Sequence, residues 1–478
     1  MSFSLSSLIP LLPEILLAAM ACLVLVVDAF LSDERRAWSW FLSQASLVVA
    51  LIVLWRVAGE GSLLAFDGQF VLDRLAGLLK AGVLVLALVA FSYSRPWLQE
   101  RGVFRGEYFV LGLFAVLGMM ILISAGSLLV LYLGLELMSL SLYAMVAFMR
   151  NDGRASEAAM KYFVLGAIAS GMLLYGMSIL YGVTGSLDLM EINRILLRAG
   201  QVDTAVLFAM AFIIAAIAFK LGAVPFHMWI PDVYQGSPTA VTLFIGSAPK
   251  LAAFAMVVRL LVEGLDTAQH QWRDMLMVLV VLSLLVGNLA AIAQTNIKRM
   301  LGYSTVSHIG FLLLGFVAGT GAGLAASLFY TLIYAIMALA AFGLIMALSR
   351  KGFESEELAD FRGLNDRSPW LAGLMLLVMF SMAGVPLTAG FYAKLVVIEA
   401  IVEVDLVWLA VFAVIMSVIG AFYYLRVVKL MYFDKPIDEP VPARPVDVEV
   451  LLGGNALLVL LLGLMPGLLM TLCRQAVL

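Results

Sequence analysis

Charged residues are scarce in this chain. Only 13% of its 478 residues are Asp, Glu, Lys or Arg, and 64% are hydrophobic. A typical soluble domain is about half apolar and about a quarter charged, so this composition excludes an ordinary soluble protein. The formal net charge of −3 says little about partners, and we expect none of them to be a nucleic acid.

Cysteine is also rare. Cys22 and Cys473 lie near opposite ends of the chain, and two cysteines cannot supply the four thiolates of an iron–sulfur cluster. The sequence contains no C-x-x-C-H haem site and no strand followed by G-x-G-x-x-G. We therefore expect that this chain binds no cofactor and that any redox chemistry belongs to other chains.

The hydrophobic residues occur in long runs. A helix needs about 20 mostly apolar residues to cross a hydrocarbon core of about 30 Å, and the sequence shows no series of short alternating strands. The runs predict an all-α polytopic membrane protein, a single membrane domain over 1–478, with about fourteen spans numbered in chain order. They lie near 10–31, 38–55, 72–94, 107–123, 127–148, 155–182, 205–229, 239–262, 275–294, 300–318, 322–349, 370–399, 405–425 and 449–470.

Lysine and arginine are distributed unevenly between the loops. Seventeen lie in or beside the loops that follow odd-numbered spans, and seven lie in or beside the other loops and termini. We call these two sides of the protein the odd face and the even face. Because cytoplasmic loops carry the excess of Lys and Arg, we expect the odd face to be cytoplasmic and both termini to lie outside, at the even face.

Five basic residues remain when the loops and the adjoining span ends are set aside; all five lie inside predicted spans, and all five are lysines. A buried lysine can release its proton, whereas an arginine in a protein cannot, so this choice favours proton exchange. Ionisable groups within a membrane generally mark ion pathways or proton relays. The alternative is snorkelling, in which the ammonium reaches the headgroups, and it applies best to Lys80 and Lys161, which are nearest to span ends. The deeper three are Lys220, Lys250 and Lys394.

Helix breakers stand beside the deep lysines. Pro225 in span 7 lacks an N–H and clashes with the carbonyl of Leu221. A freed carbonyl at membrane depth must be buried in protein or line hydrated space, so we predict polar space next to Lys220. Span 8 has a break of its own, Pro249, directly before Lys250.

A second break resembles the first. Gly384-Val-Pro386 in span 12 resembles Gly222-Ala-Val-Pro225 in span 7, and Lys394 follows it. The second break lies five spans after the first, and because this offset is odd the two helices enter the membrane from opposite sides. Interrupted helices at matching places in two inverted halves point to the ion site of a transporter. The alternative is that both are ordinary proline kinks.

Three further polar residues are candidates. Glu136, in the middle of span 5, is the one carboxylate predicted deep in a span and the natural counter-ion of a buried lysine. His308 in span 10 is suited to pass protons, because histidine titrates near neutrality. His227, near the odd face, either titrates in the same way or only bonds a carbonyl. Segment 186–199 has apolar residues at helical spacing and predicts an interfacial helix.

Four stretches resemble the antiporter-like membrane subunits of respiratory complex I. They are VPFHMWIPDVYQGSP, SAPKLAAF, NIKRMLGYSTVSHIGF and GVPLTAGFYAK, and the resemblance extends over about 107–433. The length is similar to that of the family's fourteen-helix subunit. The chain lacks the C-terminal lateral helix of the family's longest subunit. It has Lys394 where a third subunit type of the family usually has glutamate.

The resemblance implies roles for individual residues. Glu136 matches the acidic partner of Lys220, Lys250 matches the central relay lysine, Lys394 matches the terminal lysine, and Lys161 also has an equivalent. The family implies three N-terminal helices in 1–106, two inverted five-helix repeats in 107–262 and 275–433, and a C-terminal helix in 434–478.

The implied function is proton translocation by a non-redox subunit of an NADH–quinone oxidoreductase in a bacterial inner membrane, with His308 in the relay. The implied partners are the lipid membrane and the other membrane-arm subunits, especially the M-like and K-like ones. FMN, iron–sulfur clusters and quinone are then expected in partner subunits. Two alternatives stay open at this point: a subunit of a multi-subunit cation/proton antiporter, and a structural scaffold subunit.

Overall fold

The structure is built almost entirely of helices. The computed structural model describes residues 5–59, 61–200, 202–437 and 440–477. In those ranges thirteen helices are long and apolar enough to cross a membrane, and each matches a predicted span. The remaining predicted span, span 12, consists of two shorter helices. The prediction of an all-α polytopic membrane protein is confirmed.

The observed helices follow the predicted spans closely. Span 7 is the main exception, because it ends at Leu221 instead of near residue 229. Span 8 is interrupted after Gly246 and finishes in a π-helical turn. In chain order the spans are Leu12–Phe30, Ala37–Val57, Arg74–Glu100, Gly106–Ile123, Leu128–Val146, Gly153–Thr184, Thr204–Leu221, Thr239–Gly246 with Ala248–Val257 and the turn Val258–Glu263, Gln269–Ile292, Ile297–Ala318, Gly321–Leu348, Pro369–Ala383 with Ala389–Glu403, Val407–Phe433, and Val446–Leu464.

Shorter helices connect the spans. The helix predicted in 186–199 is present as Leu189–Ala199, with the Asp188 carboxylate accepting the N–H of Glu191 at its start. The α-helices outside the spans are Leu189–Ala199, Trp229–Gly236, Leu364–Arg367 and Gly467–Val477, and the 3-10 helices are Leu5–Leu11, Asp33–Arg35, Asp266–Ala268 and Leu358–Phe361.

A small β-hairpin between spans 2 and 3 is absent from the sequence prediction. Leu63–Ala65 pairs antiparallel with Phe70–Leu72, and the turn places Phe66, Asp67 and Gly68 at positive φ. The Asp-Gly dipeptide is a usual signal for such a turn. Strands of three residues are too short to show an alternating pattern, which is why the hairpin was missed.

Spans 8, 10 and 11 form the centre of the bundle. They are buried on nearly every side, whereas spans 1, 2, 6 and 14 leave most of their surface uncovered. A helix that is apolar all round belongs in the interior of a large bundle or in lipid. The lysine of span 8 and the histidine of span 10 are therefore held by the most enclosed helices of the protein.

Two backbone bridges reveal an internal repeat. Ser127, directly before span 5, forms an antiparallel bridge with Asp188, and Asn296, directly before span 10, forms one with Glu357. The bridged partners are separated by the same number of residues in both cases. Because five spans lie between the two bridges, they stand on opposite membrane faces, as expected for inverted five-helix repeats. The residue limits of the four segments predicted above stay a prediction.

Candidate functional site

Span 7 stops abruptly inside the bundle. Gly222 has a φ of 90°, and Ala218 O accepts the N–H groups of Gly222 at 2.8 Å and of Ala223 at 2.7 Å. A β-carbon at Gly222 would lie 1.8 Å from Ile230 Cδ1, so both the backbone conformation and the space favour glycine. The last carbonyls of span 7 therefore have no helical partner.

Lys250 binds one of these carbonyls. Its ammonium Nζ donates to Leu221 O at 2.8 Å and lies 5.5 Å from the centre of the Trp229 ring. Pro249 stands in the first turn of the helix Ala248–Val257, so the lysine enters the bundle directly after the break in span 8. The breaks of spans 7 and 8 thus meet at a single ammonium–carbonyl contact.

Span 12 repeats the arrangement. Gly384 has a φ of 87° at the end of its first helix, and Lys394 Nζ donates to Met382 O at 3.1 Å and to Ala383 O at 2.9 Å. Ser417 Oγ is a third acceptor, at 3.0 Å. In spans 7 and 12 alike, the negative end of a helix dipole faces a buried ammonium.

Lys220 and Glu136 line one small cavity between spans 5, 6 and 7. Lys220 Nζ donates to Ser139 Oγ at 2.6 Å, and Ser170 Oγ donates to the Glu136 carboxylate. Ser139 follows Glu136 by three residues, so the two lie on one face of span 5. The structure brings the predicted pair together, with each charged group held by a serine hydroxyl.

His308 lies in a cluster of tyrosines. Its Nδ1 is 2.7 Å from Tyr330 Oη and its Nε2 is 3.0 Å from Tyr424 Oη. The ring of Tyr334 packs against the imidazole at 5.1 Å. The sequence reasoning named the histidine and missed the tyrosines. The signal available was the four-residue spacing of Tyr330 and Tyr334, which places both on one face of span 11.

His227 and Lys161 lie outside this buried group, nearer the odd face. His227 is partly exposed, and its ring centre is 6.3 Å from that of Tyr303. The Lys161 side chain is 43% exposed and forms ion pairs of 2.8 Å with both Glu157 and Asp232. Lys161 therefore belongs to a surface ion-pair network rather than to the row of enclosed lysines.

Two polar cavities open beside that network. Asp232 also pairs with Arg299 at 2.6 Å, and both line a cavity of about 260 Å³. A second cavity, of about 230 Å³, is lined by Lys298, which is buried and donates to Ser237 O and to the Glu356 carboxylate, both at 2.9 Å. Sequence reasoning had counted Lys298 with the loops, because it stands at the start of span 10.

The structure shows a further buried carboxylate, Glu14 in the first turn of span 1, which the sequence analysis does not name. Glu14 on span 1 is buried, and its Oε1 lies 2.6 Å from Lys80 Nζ. Lys80 is fully buried, and its ammonium is 4.6 Å from the centre of the Phe70 ring, so it does not snorkel to the headgroups. Glu14 was missed because it stands at the start of an apolar run, where a carboxylate is usually solvated.

A buried arginine near this pair was also missed. Arg259, in the π-helical turn of span 8, pairs with Asp73 at 2.8 Å and with Glu263 at 2.5 Å. Its Nε donates to Ile123 O at 3.1 Å. It joins the even-face ends of spans 3, 4 and 8, whereas sequence reasoning had counted it as a loop residue.

Known proteins share this sequence and this fold. The family described as NADH:quinone oxidoreductase/Mrp antiporter, TM, matches residues 125–420. The chain is 59% identical to NADH-quinone oxidoreductase subunit N of Thioalkalivibrio sulfidiphilus over 100% of both chains. It is 55% identical to subunit N of Thiobacillus denitrificans, over 100% of this chain and 99% of the relative.

Solved structures agree. A chain of respiratory complex I from Thermus thermophilus, with bound aureothin, has a TM-score of 0.83 and 32% identity and covers 97% of this chain and 100% of its own. A chain of the Mrp complex from Dietzia sp. has a TM-score of 0.87 at 23% identity, over 99% and 97%, and shares the fold.

Interrupted helices that end on buried lysines, in a bundle of fourteen spans, define the class of antiporter-like membrane subunits. Identity above 50% to the two subunit N relatives, over the full length, then selects one family within this class. The chain belongs to the NADH-quinone oxidoreductase subunit N family.

Proposed function

We propose that protons cross this chain along a row of titratable side chains that runs from Glu136 and Lys220 through Lys250 and His308 to Lys394. One observation carries the proposal: two broken helices each end on a buried ammonium, which binds the carbonyls that the break sets free. Such a contact positions the lysine and leaves it free to exchange its proton.

The partners of the lysines separate relay groups from structural ones. Lys220, Lys250 and Lys394 donate to hydroxyl or carbonyl oxygens, whereas Lys80 and Lys298 pair with carboxylates. A lysine bound only to neutral oxygens, as Lys250 and Lys394 are, leaves no unpaired buried carboxylate behind when it loses its proton. A lysine that is paired with a buried carboxylate does, at a cost of several kcal/mol. The neutral contacts therefore favour proton exchange.

The proposed path has a defined order. Glu136 faces Lys220 across one cavity, so a change in its charge alters whether Lys220 keeps its proton. Lys250 binds the carbonyl of the residue that follows Lys220. When both ammonium groups are charged they repel each other, which favours the loss of one proton. His308 and its tyrosines continue the path to Lys394.

The chain is a proton-translocating membrane subunit of NADH-quinone oxidoreductase, and it works with the other subunits of that complex. We further propose that it holds no redox centre, that FMN, iron–sulfur clusters and quinone act in partner subunits, and that M-like and K-like subunits are its neighbours. Quinone reduction elsewhere then drives the changes at Glu136. The odd-face cavity lined by Lys161 exchanges protons with water.

The test uses the whole purified complex in sealed vesicles. Lys394→Met is compared with Lys429→Met, a control whose side chain is 64% exposed and pairs with Asp434 at 2.8 Å. We expect fewer protons moved per NADH oxidised in the first variant and no change in the second. Unchanged pumping in Lys394→Met would remove that lysine from the path. Sodium-dependent exchange that needs no quinone would favour the antiporter alternative instead.

A further inference from the structure

Trp229 is the first residue of the helix Trp229–Gly236, which follows the break in span 7. Its side chain is buried, and its indole Nε1 donates to Phe219 O at 2.8 Å. In an unbroken helix that carbonyl would accept the N–H of Ala223, which bonds to Ala218 O instead. The indole therefore satisfies a carbonyl that the break sets free.

The carbonyls on either side of Lys220 both have side-chain partners. Phe219 O binds the indole of Trp229. Leu221 O binds the ammonium of Lys250. The centre of the same indole ring lies 5.5 Å from Lys250 Nζ, within the distance at which an aromatic face attracts a cation. One buried side chain thus contacts the backbone directly before the first lysine and the ammonium of the second.

A second aromatic side chain fixes the plane of the Trp229 ring. Tyr162 on span 6 stacks on it, with the ring centres 4.5 Å apart and the planes inclined by 11°. Tyr162 is itself buried. The stacked ring and the hydrogen bond of the indole N–H leave the tryptophan little freedom to turn, so Lys250 meets an aromatic face of fixed position.

The ammonium of Lys250 has one charged neighbour. Spans 3, 4, 7 and 11 and the π-helical turn of span 8 pack against the helix Ala248–Val257 that carries it. In the described part of the chain, the charged group of these elements that acts on Lys250 is the ammonium of Lys220. The other titratable side chains that these elements hold inside the bundle have partners of their own; they are Lys80, Tyr93, Tyr108, Arg259, Tyr330 and Tyr334.

We propose that Trp229 is a positioning residue for both lysines, an inference that rests on the proton path proposed above. Its indole N–H holds the backbone beside Lys220 in place. Its ring attracts Lys250 only while that side chain is an ammonium, because the aromatic quadrupole attracts a cation and not a neutral amine. When Lys220 releases a proton and Lys250 gains it, the summed charge of the two lysines is unchanged, and the ring favours this transfer.

The test measures protons moved per NADH oxidised over a range of pH, in sealed vesicles that contain the whole complex. Trp229→Leu removes the indole N–H and the aromatic face, whereas Trp229→Phe keeps an aromatic face. The controls are Trp272→Leu and Trp272→Phe. Trp272 stands at the even-face start of span 9, is buried, and donates its Nε1 to Leu265 O at 3.0 Å. Thermal unfolding is measured in parallel.

The alkaline limb of the pumping profile is the decisive feature, because pumping falls there when a relay lysine no longer gains a proton. We expect this limb to move by about one pH unit toward lower pH in Trp229→Leu, since Lys250 then holds its proton less tightly. Trp229→Phe should shift it less. Both variants of Trp272 should keep the unmodified profile, although they unfold at lower temperature.

The role of Trp229 is wrong if each of its variants has the same pH profile as the matching variant of Trp272. If Trp229→Leu does not assemble, the two phenylalanine variants decide alone. Lys250→Ala, measured alongside, separates this role from the path itself. Impaired pumping by Lys250→Ala with an unshifted profile in Trp229→Phe overturns only the role of Trp229, whereas normal pumping by Lys250→Ala overturns the path and this role with it.

Discussion

The ammonium of Lys250 donates a hydrogen bond of 2.8 Å to the carbonyl of Leu221. The two residues belong to different spans, and each lies next to a break in its own helix. Lys220 precedes Leu221 in the chain, so this bond ties Lys250 to the backbone directly beside Lys220.

Lys250→Arg tests whether that lysine exchanges its proton. Arginine keeps the positive charge but holds its proton with a pKa above about 12. We therefore expect Lys250→Arg to impair proton translocation about as much as Lys250→Ala, in complexes that still assemble. Lys250→His should retain more activity than either, because histidine titrates near neutrality. Proton uptake and quinone reduction are measured together in membrane vesicles, and full pumping by the arginine variant would assign Lys250 a purely electrostatic role.

Glu136→Gln tests the acidic partner. The amide has nearly the same shape as the carboxylate and can still accept a hydrogen bond from Ser170, but it carries no charge to offset Lys220. We expect lower proton uptake with normal assembly. Glu191→Gln, which breaks an exposed ion pair with Arg194, is the matched control. If Glu136→Gln pumps protons at the unmodified rate and stoichiometry, as the control should, the Glu136–Lys220 pair has no part in the path.

The tyrosines around His308 can be tested one hydroxyl at a time. Tyr330→Phe and Tyr424→Phe each remove a partner of the imidazole, whereas Tyr93→Phe removes a hydrogen bond to Leu451 O instead. One net hydrogen bond is worth about 1 kcal/mol, or about a fivefold change in an equilibrium. We expect the first two variants to slow proton uptake by about that factor and the third to leave it unchanged. Equal behaviour of all three would mean that the histidine is only packed there.

The Glu14–Lys80 pair predicts a stability effect rather than a transport effect. Glu14→Gln leaves a buried ammonium without its counter-charge, which typically costs about 3–5 kcal/mol. Thermal unfolding of the purified complex should shift to lower temperature. Replacing both residues at once, by Glu14→Leu with Lys80→Met, should restore most of the loss, since well-packed apolar side chains often replace a buried pair without cost. If Glu14→Gln were as stable as the unmodified protein, the Glu14–Lys80 pair would not stabilise the fold and the prediction would be wrong.

Labelling with impermeant reagents tests the orientation. The distribution of Lys and Arg predicts that both termini and Arg194 face the periplasm, and that Arg35 and Arg362 face the cytoplasm. Single cysteines at these positions should react from the corresponding side of intact cells or of inverted vesicles. Termini on opposite sides would require an odd number of crossings and overturn the assignment.

The spans, the helix breaks and the deep lysines could be read from the sequence alone. In lipid, a long apolar run must form a helix, because only a helix satisfies the hydrogen bonds of its own backbone. A glycine followed closely by a proline favours the end of such a helix. Amino-acid composition and the order of neighbouring residues therefore decide where the spans and their breaks lie. The breaks predicted at Pro225 and Pro386 are therefore present, although the helices end a few residues earlier, at Leu221 and Ala383.

Only the tertiary structure determines which groups each charged or titratable side chain contacts. Sequence spacing brings residues together only within one helix, whereas Lys250 meets Leu221, Lys80 meets Glu14 and His308 meets Tyr424 across different spans. The packing of distant segments sets those contacts, and it distinguishes lysines bound to neutral oxygens from lysines bound to carboxylates. The sequence determined that charges lie inside the bundle, and the fold decided which of them keep a fixed partner.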